Sequence, residues 1–156
     1  MSVPSVYQIG SMDTMGVRLD GGKTYTVTLP GPMPAVNFWS FMVYDVQTWS
    51  ILQADKKTGG VDSKREGMNI APDGSVAIYF SPQAPKGQDN SWVQTMSDKF
   101  FYVLLRLYGP EQAWFDKSWK PGDFEAAVRT SWIATARHFL KPLRVMKHGS
   151  RNNFQK

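Results

Sequence analysis

The sequence predicts an all-β protein, an antiparallel β-sandwich of jelly-roll type with a short C-terminal helical tail. Three observations carry that expectation. Apolar and polar residues alternate with period two in several short runs, Gly/Pro turns separate those runs, and residues 1–110 contain no helical periodicity. A parallel α/β sheet needs crossover helices, and nothing in those 110 residues supplies them.

The chain begins just ahead of a first strand at about Tyr7. Leu19-Asp20-Gly21-Gly22 reads as a turn, and Thr24–Leu29 as a half-buried strand with Tyr25, Val27 and Leu29 inward. That strand stops at Pro30-Gly31-Pro32. Phe38–Tyr44 is bulky on both sides and is expected to be a central strand covered on both faces. Lys56–Glu66 and Pro82–Asn90 read as polar loops, and Ala71-Pro72-Asp73-Gly74 as a tight turn with glycine at positive φ. Ser75–Phe80 follows as a strand. Phe100–Tyr108 is the longest, with Phe101, Val103, Leu105 and Leu107 on one face and Tyr102, Leu104, Arg106 and Tyr108 on the other. Ala126–Leu140 has helix formers and an apolar arc through Trp132, Ala136, Phe139 and Leu140, which Pro142 ends.

At 156 residues the chain is long enough to bury one core without a staple. It has no cysteine, which removes disulfides, thiolate metal centres and thiol nucleophiles. The formal charge of +5 is unevenly placed. Residues 1–125 carry 11 Lys and Arg against 13 Asp and Glu, whereas residues 126–156 carry 7 and none. Two regions are therefore expected, a sandwich over 1–125 and a basic tail over 126–156. No apolar stretch approaches the ~20 residues of a membrane span. The N-terminus lacks a basic cluster followed by an apolar run, so the cytoplasm is the default location.

Gly21-Gly22-Lys23-Thr24 resembles the end of a phosphate-binding loop, but the required first glycine is Val17 and the lysine leads into a strand instead of a helix. Both histidines, His138 and His148, lie in the tail, so the strands hold no imidazole for a metal or a Ser-His-Asp triad. No cofactor or metal is expected. Catalysis in the strand body would fall to carboxylates, tyrosines and arginine, and the candidates are Tyr44, Asp45, Tyr102 and Arg106. Arg106 interrupts an apolar strand: Asp45 and Asp116 are candidate partners in a structural ion pair bracing the sandwich, the commoner use, and an anion-binding role is the alternative. Trp49, Trp92, Trp114 and Trp119 fall in loops or at strand ends. Exposed on one face they would form a saccharide platform, while capping the core is the commoner use.

Several segments together resemble one family. They are Phe38-Trp39-Ser40 with Tyr44-Asp45, Asp73-Gly74-Ser75, Ala84-Pro85-Lys86-Gly87, Trp92-Val93-Gln94-Thr95, Leu105–Pro110 and Trp114–Gly122. This series is similar to the domain of unknown function 1214 (DUF1214) over about residues 7–125. The resemblance implies a jelly-roll-like sandwich that usually follows a domain of unknown function 1254 in a longer, in some relatives exported, chain. It brings no catalytic residue or cofactor. Ser91 and Trp49 stand where relatives tend to have Asn and Arg. Three roles follow as expectations. The first is a non-catalytic binding or accessory module for a saccharide or a separate 1254-type domain. The second is an enzyme or enzyme remnant using the carboxylate–tyrosine–arginine set. The third is a binder of anionic surfaces through the basic tail, without specific nucleic-acid recognition.

Overall fold

A computed structural model describes residues 4–55 and 59–127. The strands are β1 (Ser5–Gly10), β2 (Tyr25–Leu29), β3 (Ala35–Asp45), β4 (Gly60–Asp62), β5 (Val76–Ser81), β6 (Trp92–Gln94), β7 (Phe101–Pro110) and β8 (Glu125–Ala126). They form two four-stranded sheets, ordered β1-β7-β3-β4 and β6-β5-β2-β8. The expected all-β sandwich is what forms, with one helical turn, α1 (Gln112–Phe115), after β7.

The alternation that predicted the strands also explains the core. Tyr25, Val27 and Leu29 of β2 and Val76, Ile78 and Phe80 of β5 face Phe41 and Val43 of β3 and Phe101, Val103, Leu105 and Leu107 of β7, all buried. Aromatic rings lock the two sheets together: Phe41 meets Phe80 edge-on at 5.5 Å, and Tyr25 meets Phe101 edge-on at 6.0 Å. The predicted turn at Ala71–Gly74 closes through a 2.9 Å bond from the Gly74 N–H to the Ala71 carbonyl. Its glycine sits at φ +79, where a side chain would be strained. Gly21 has a different reason. A Cβ there would run into the Met96 carbonyl oxygen, so the Gly21-Gly22 pair marks close backbone packing before β2 and not a phosphate loop.

Five expectations need correction. Lys56–Glu66 is not all loop, because Gly60–Asp62 pairs with Ser40–Met42 as β4; three residues are too few for alternation to show. The sheets are not wholly antiparallel, since β5 and β6 run parallel, joined by the Pro82–Asn90 connection. The β3 strand is covered on one face only. Trp39, Phe41, Val43 and Asp45 point inward, while Phe38, Met42 and Tyr44 are half-buried on the outside. Arg106 pairs with neither Asp45 nor Asp116. Finally, Ala126 and Ala127 are extended and not helical: β8 pairs with Tyr25–Thr26, and the Ala127 N–H reaches the Thr24 carbonyl at 2.8 Å. The rest of the expected tail helix lies outside the described residues.

Candidate functional site

The outer face of the β1-β7-β3-β4 sheet concentrates the unusual chemistry. Alternation puts Tyr102, Leu104, Arg106 and Tyr108 of β7 on this face, beside Phe38, Ser40, Met42 and Tyr44 of β3 and Tyr7 of β1. The opposite sheet does not cover them.

Arg106 is the centre of the face. Its guanidinium lies 5.1 Å from the Tyr7 ring centroid and 5.0 Å from that of Tyr108, a cation held between two aromatic walls. Its Nε is buried without a hydrogen-bond partner, and the ion pair among the described residues is Lys99–Asp45, not one with Arg106. The row continues outward. Tyr108 stacks on Phe38 at 4.1 Å, and the Lys64 ammonium sits 4.6 Å over the Phe38 ring. At the edge, the Ser5 hydroxyl donates to the Tyr7 phenol oxygen at 3.1 Å. That bond, helped by the Arg106 guanidinium, holds the Tyr7 phenol below the ordinary tyrosine range.

The other end of the face is also aromatic. Tyr44 and Tyr102 stack at 5.1 Å, and Trp49 tilts against Tyr102 at 5.5 Å. Burial, then the neighbouring Tyr44, pushes the Tyr102 phenol above its usual value. Trp49 is 73% exposed and held at φ +57 in the turn after β3, a left-handed conformation that costs a bulky residue about 1–3 kcal/mol.

The carboxylate–tyrosine–arginine set does not converge. Asp45 is next to Tyr44 on β3 and so points to the opposite face, where its carboxylate takes Lys99 Nζ at 2.9 Å and the Gln47 N–H at 2.6 Å. Lys99, then the Gln47 N–H, hold that carboxyl below the usual aspartate range, as befits a structural ion pair and not a base. Arg106 is four residues along β7 from Tyr102, roughly 13 Å away.

The four tryptophans also lie apart. Trp119 is buried, with Nε1 bonded to the Pro30 carbonyl at 2.9 Å, and Trp114 packs against it at 6.1 Å. Trp92 belongs to the second sheet, where its Nε1 donates to the Ser81 carbonyl at 3.0 Å. Trp49 alone of the four is exposed on the outer face. Tyr7, Phe38, Asp62, Lys64 and Tyr108 were not singled out from sequence. For Tyr108 the signal was available, since it follows Arg106 by two on the same face.

Two hollows accompany this surface. A depression of about 650 Å³ lies on the β4 side of the outer face, lined by Ser40, Met42 and Gly60 with Asp62 and the cations Lys64 and Arg65. A narrower cleft of about 270 Å³ opens between β1 and residues 121–124, with core side chains such as Val27, Phe41 and Leu105 at its floor. Among the described residues no group of three or more His, Cys, Asp or Glu is placed to hold a metal, and no helix is long and apolar enough to cross a membrane.

Residues 4–112 match the family described as "Protein of unknown function (DUF1214)". No curated protein matches the chain. Among solved structures, the VPA0106 protein from Vibrio parahaemolyticus is similar with a TM-score of 0.70 at 20% identity, over 81% of this chain and 31% of its own. An uncharacterized protein from Burkholderia cenocepacia is similar with a TM-score of 0.52 at 26% identity, over 79% of this chain and 29% of its own. This chain therefore spans about a third of the length of either structure, and the first likeness establishes the fold alone.

Proposed function

This chain belongs to the DUF1214 family, and we infer that it serves as a non-catalytic binding module whose working surface is the outer face of the β1-β7-β3-β4 sheet. One observation carries this reading. Arg106 presents a cation between two tyrosine rings on an uncovered aromatic face, with no acid of the described residues paired to it. A guanidinium in that setting is matched by a carboxylate arriving with apolar surface, which is the chemistry of a protein partner. A 1254-type domain on a separate chain is the partner that the family resemblance suggests. Among the described residues, Asp45 points to the opposite face from Tyr44, Tyr102 and Arg106, which argues against the enzyme reading that groups them.

A saccharide is the second reading, and Trp49 favours it: an exposed indole held in a strained turn next to Tyr102 offers a stacking surface. Calorimetric titration of the full chain against a 1254-type domain, and in parallel against a polysaccharide panel, separates the two. Protein binding is expected, weakened by Arg106→Glu by roughly thirtyfold or more and indifferent to Trp49→Ala. Binding to polysaccharides only, abolished by Trp49→Ala and untouched by Arg106→Glu, would replace the protein reading with the sugar one.

A further inference from the structure

The outer face carries its own complement. In the sheet register, Arg106 on β7 lies beside Ser40 on β3, and Ser40 lies beside Asp62 on β4. One row across the sheet thus presents a cation, a small residue and an anion. Neighbouring strands are ~4.8 Å apart, so the two charges flank β3 at about equal distances. The adjacent row repeats the pattern in shape as Leu104, Met42 and Gly60. Leu104 stands on the β7 side, while the β4 side sinks into the depression of about 650 Å³.

Resting on the reading of this face as a protein-recognition surface, we propose that its occupant is a second copy of the chain, packed face to face about a two-fold axis along β3. A half-turn about that axis exchanges the β7 side of one copy with the β4 side of the other. Each Arg106 meets the second copy's Asp62, twice by symmetry, and each Leu104 enters the second copy's depression. Packed sheets lie about 10 Å apart with strands crossing at about −30°, so the match is closest at the central rows of Ser40 and Met42. Both charges are available for it. The ion pair among the described residues involves neither, and Asp62 uses Oδ1 to accept the Lys64 backbone N–H at 2.8 Å. At the rim, Tyr108 of one copy comes over Lys64 of the other, the same cation–aromatic contact that Lys64 makes with Phe38.

Sedimentation velocity of the full chain over a concentration series tests this. A monomer–dimer equilibrium is expected. Arg106→Glu and Asp62→Arg should each raise the dimer Kd by about a hundredfold or more, because each places two like-charge contacts in the interface. Combining both substitutions restores opposite charges, and the double variant should return to within about tenfold of the unmodified chain. Circular dichroism melts report folding. If a charge reversal fails to fold, Asp62→Asn, which keeps an oxygen for the Lys64 N–H, should weaken the dimer in the same direction. A chain that stays monomeric, or a dimer insensitive to both charges, overturns the two-fold pairing. A monomer that still binds a 1254-type domain through Arg106 overturns the pairing and leaves the recognition face standing. A dimer and a partner complex both indifferent to Arg106 overturn the two together.

Discussion

Phe80→Ala is expected to destabilise the protein by about 3–5 kcal/mol. Phe80 is wholly buried and touches three other rings: Phe41 edge-on at 5.5 Å, Phe101 stacked at 6.3 Å and Phe124 tilted at 5.4 Å. It thus joins β5 to both central strands of the opposite sheet and to the segment before β8. Truncation removes the transfer free energy of the ring and leaves a cavity whose walls belong to different strands. Those walls cannot collapse together without shifting a ladder. Urea denaturation should show a lower midpoint with an unchanged slope. Met15→Ala, at an 83% exposed position, should change stability by less than about 0.5 kcal/mol. A loss below about 1 kcal/mol for Phe80→Ala would remove it from the centre of the core.

Trp119→Ala should cost a similar 3–5 kcal/mol, although Trp119 lies beyond the family match at residues 4–112. The chain after β7 is built into the sandwich. Trp119 donates to the Pro30 carbonyl at 2.9 Å, and the Gly122 N–H bonds the Thr28 carbonyl at 2.8 Å. Phe124 packs so closely on β1 that a Cβ at Gly10 would collide with its ring. Trp119→Phe keeps most of the apolar burial and loses the indole bond. It should therefore cost much less, leaving the Pro30 carbonyl short of a donor for about 1–3 kcal/mol. Near-equal effects of the two substitutions would mean that the hydrogen bond, and not the packing, holds this segment.

The sandwich was legible because one face of each long strand is buried. Thr24–Leu29, Ser75–Phe80 and Phe100–Tyr108 alternate in sequence as they do in burial. The β4 strand was not, because three residues inside a polar stretch carry no period, and only pairing with Ser40–Met42 makes them a strand. The parallel β5–β6 pair was hidden for a related reason, as β6 is also three residues long. The outer face was half legible. Arg106 stood out as a charge within an apolar strand, but the expectation that a buried arginine finds an acid assigned it Asp45 or Asp116. The structure uses Asp45 for Lys99 and Asp116 for its own turn with Ser118, and leaves Arg106 to two tyrosine rings. Adjacent positions on one strand, such as Tyr44 and Asp45, were grouped as neighbours when the pleat sets them on opposite faces. Asp62, the anion in register with Arg106, sat in what read as loop.

The basic tail that gives the chain its +5 lies mostly beyond the described residues. The Arg106 row belongs to strands whose region carries a slight acidic excess. On the face proposed for recognition, the positive charge presented between two tyrosine rings is the Arg106 guanidinium.

The claim that the outer face is where the chain recognises a second copy of itself is tested most directly by hydroxyl-radical footprinting of the full chain across a dilution series. In concentrated solution Met42, Tyr102 and Tyr108 should be protected, and their oxidation should rise as the protein is diluted, while Met15 and Phe115 oxidise at a constant rate. Concentration-independent oxidation at Met42, Tyr102 and Tyr108, or protection that appears at Met15 and Phe115 instead, would contradict it.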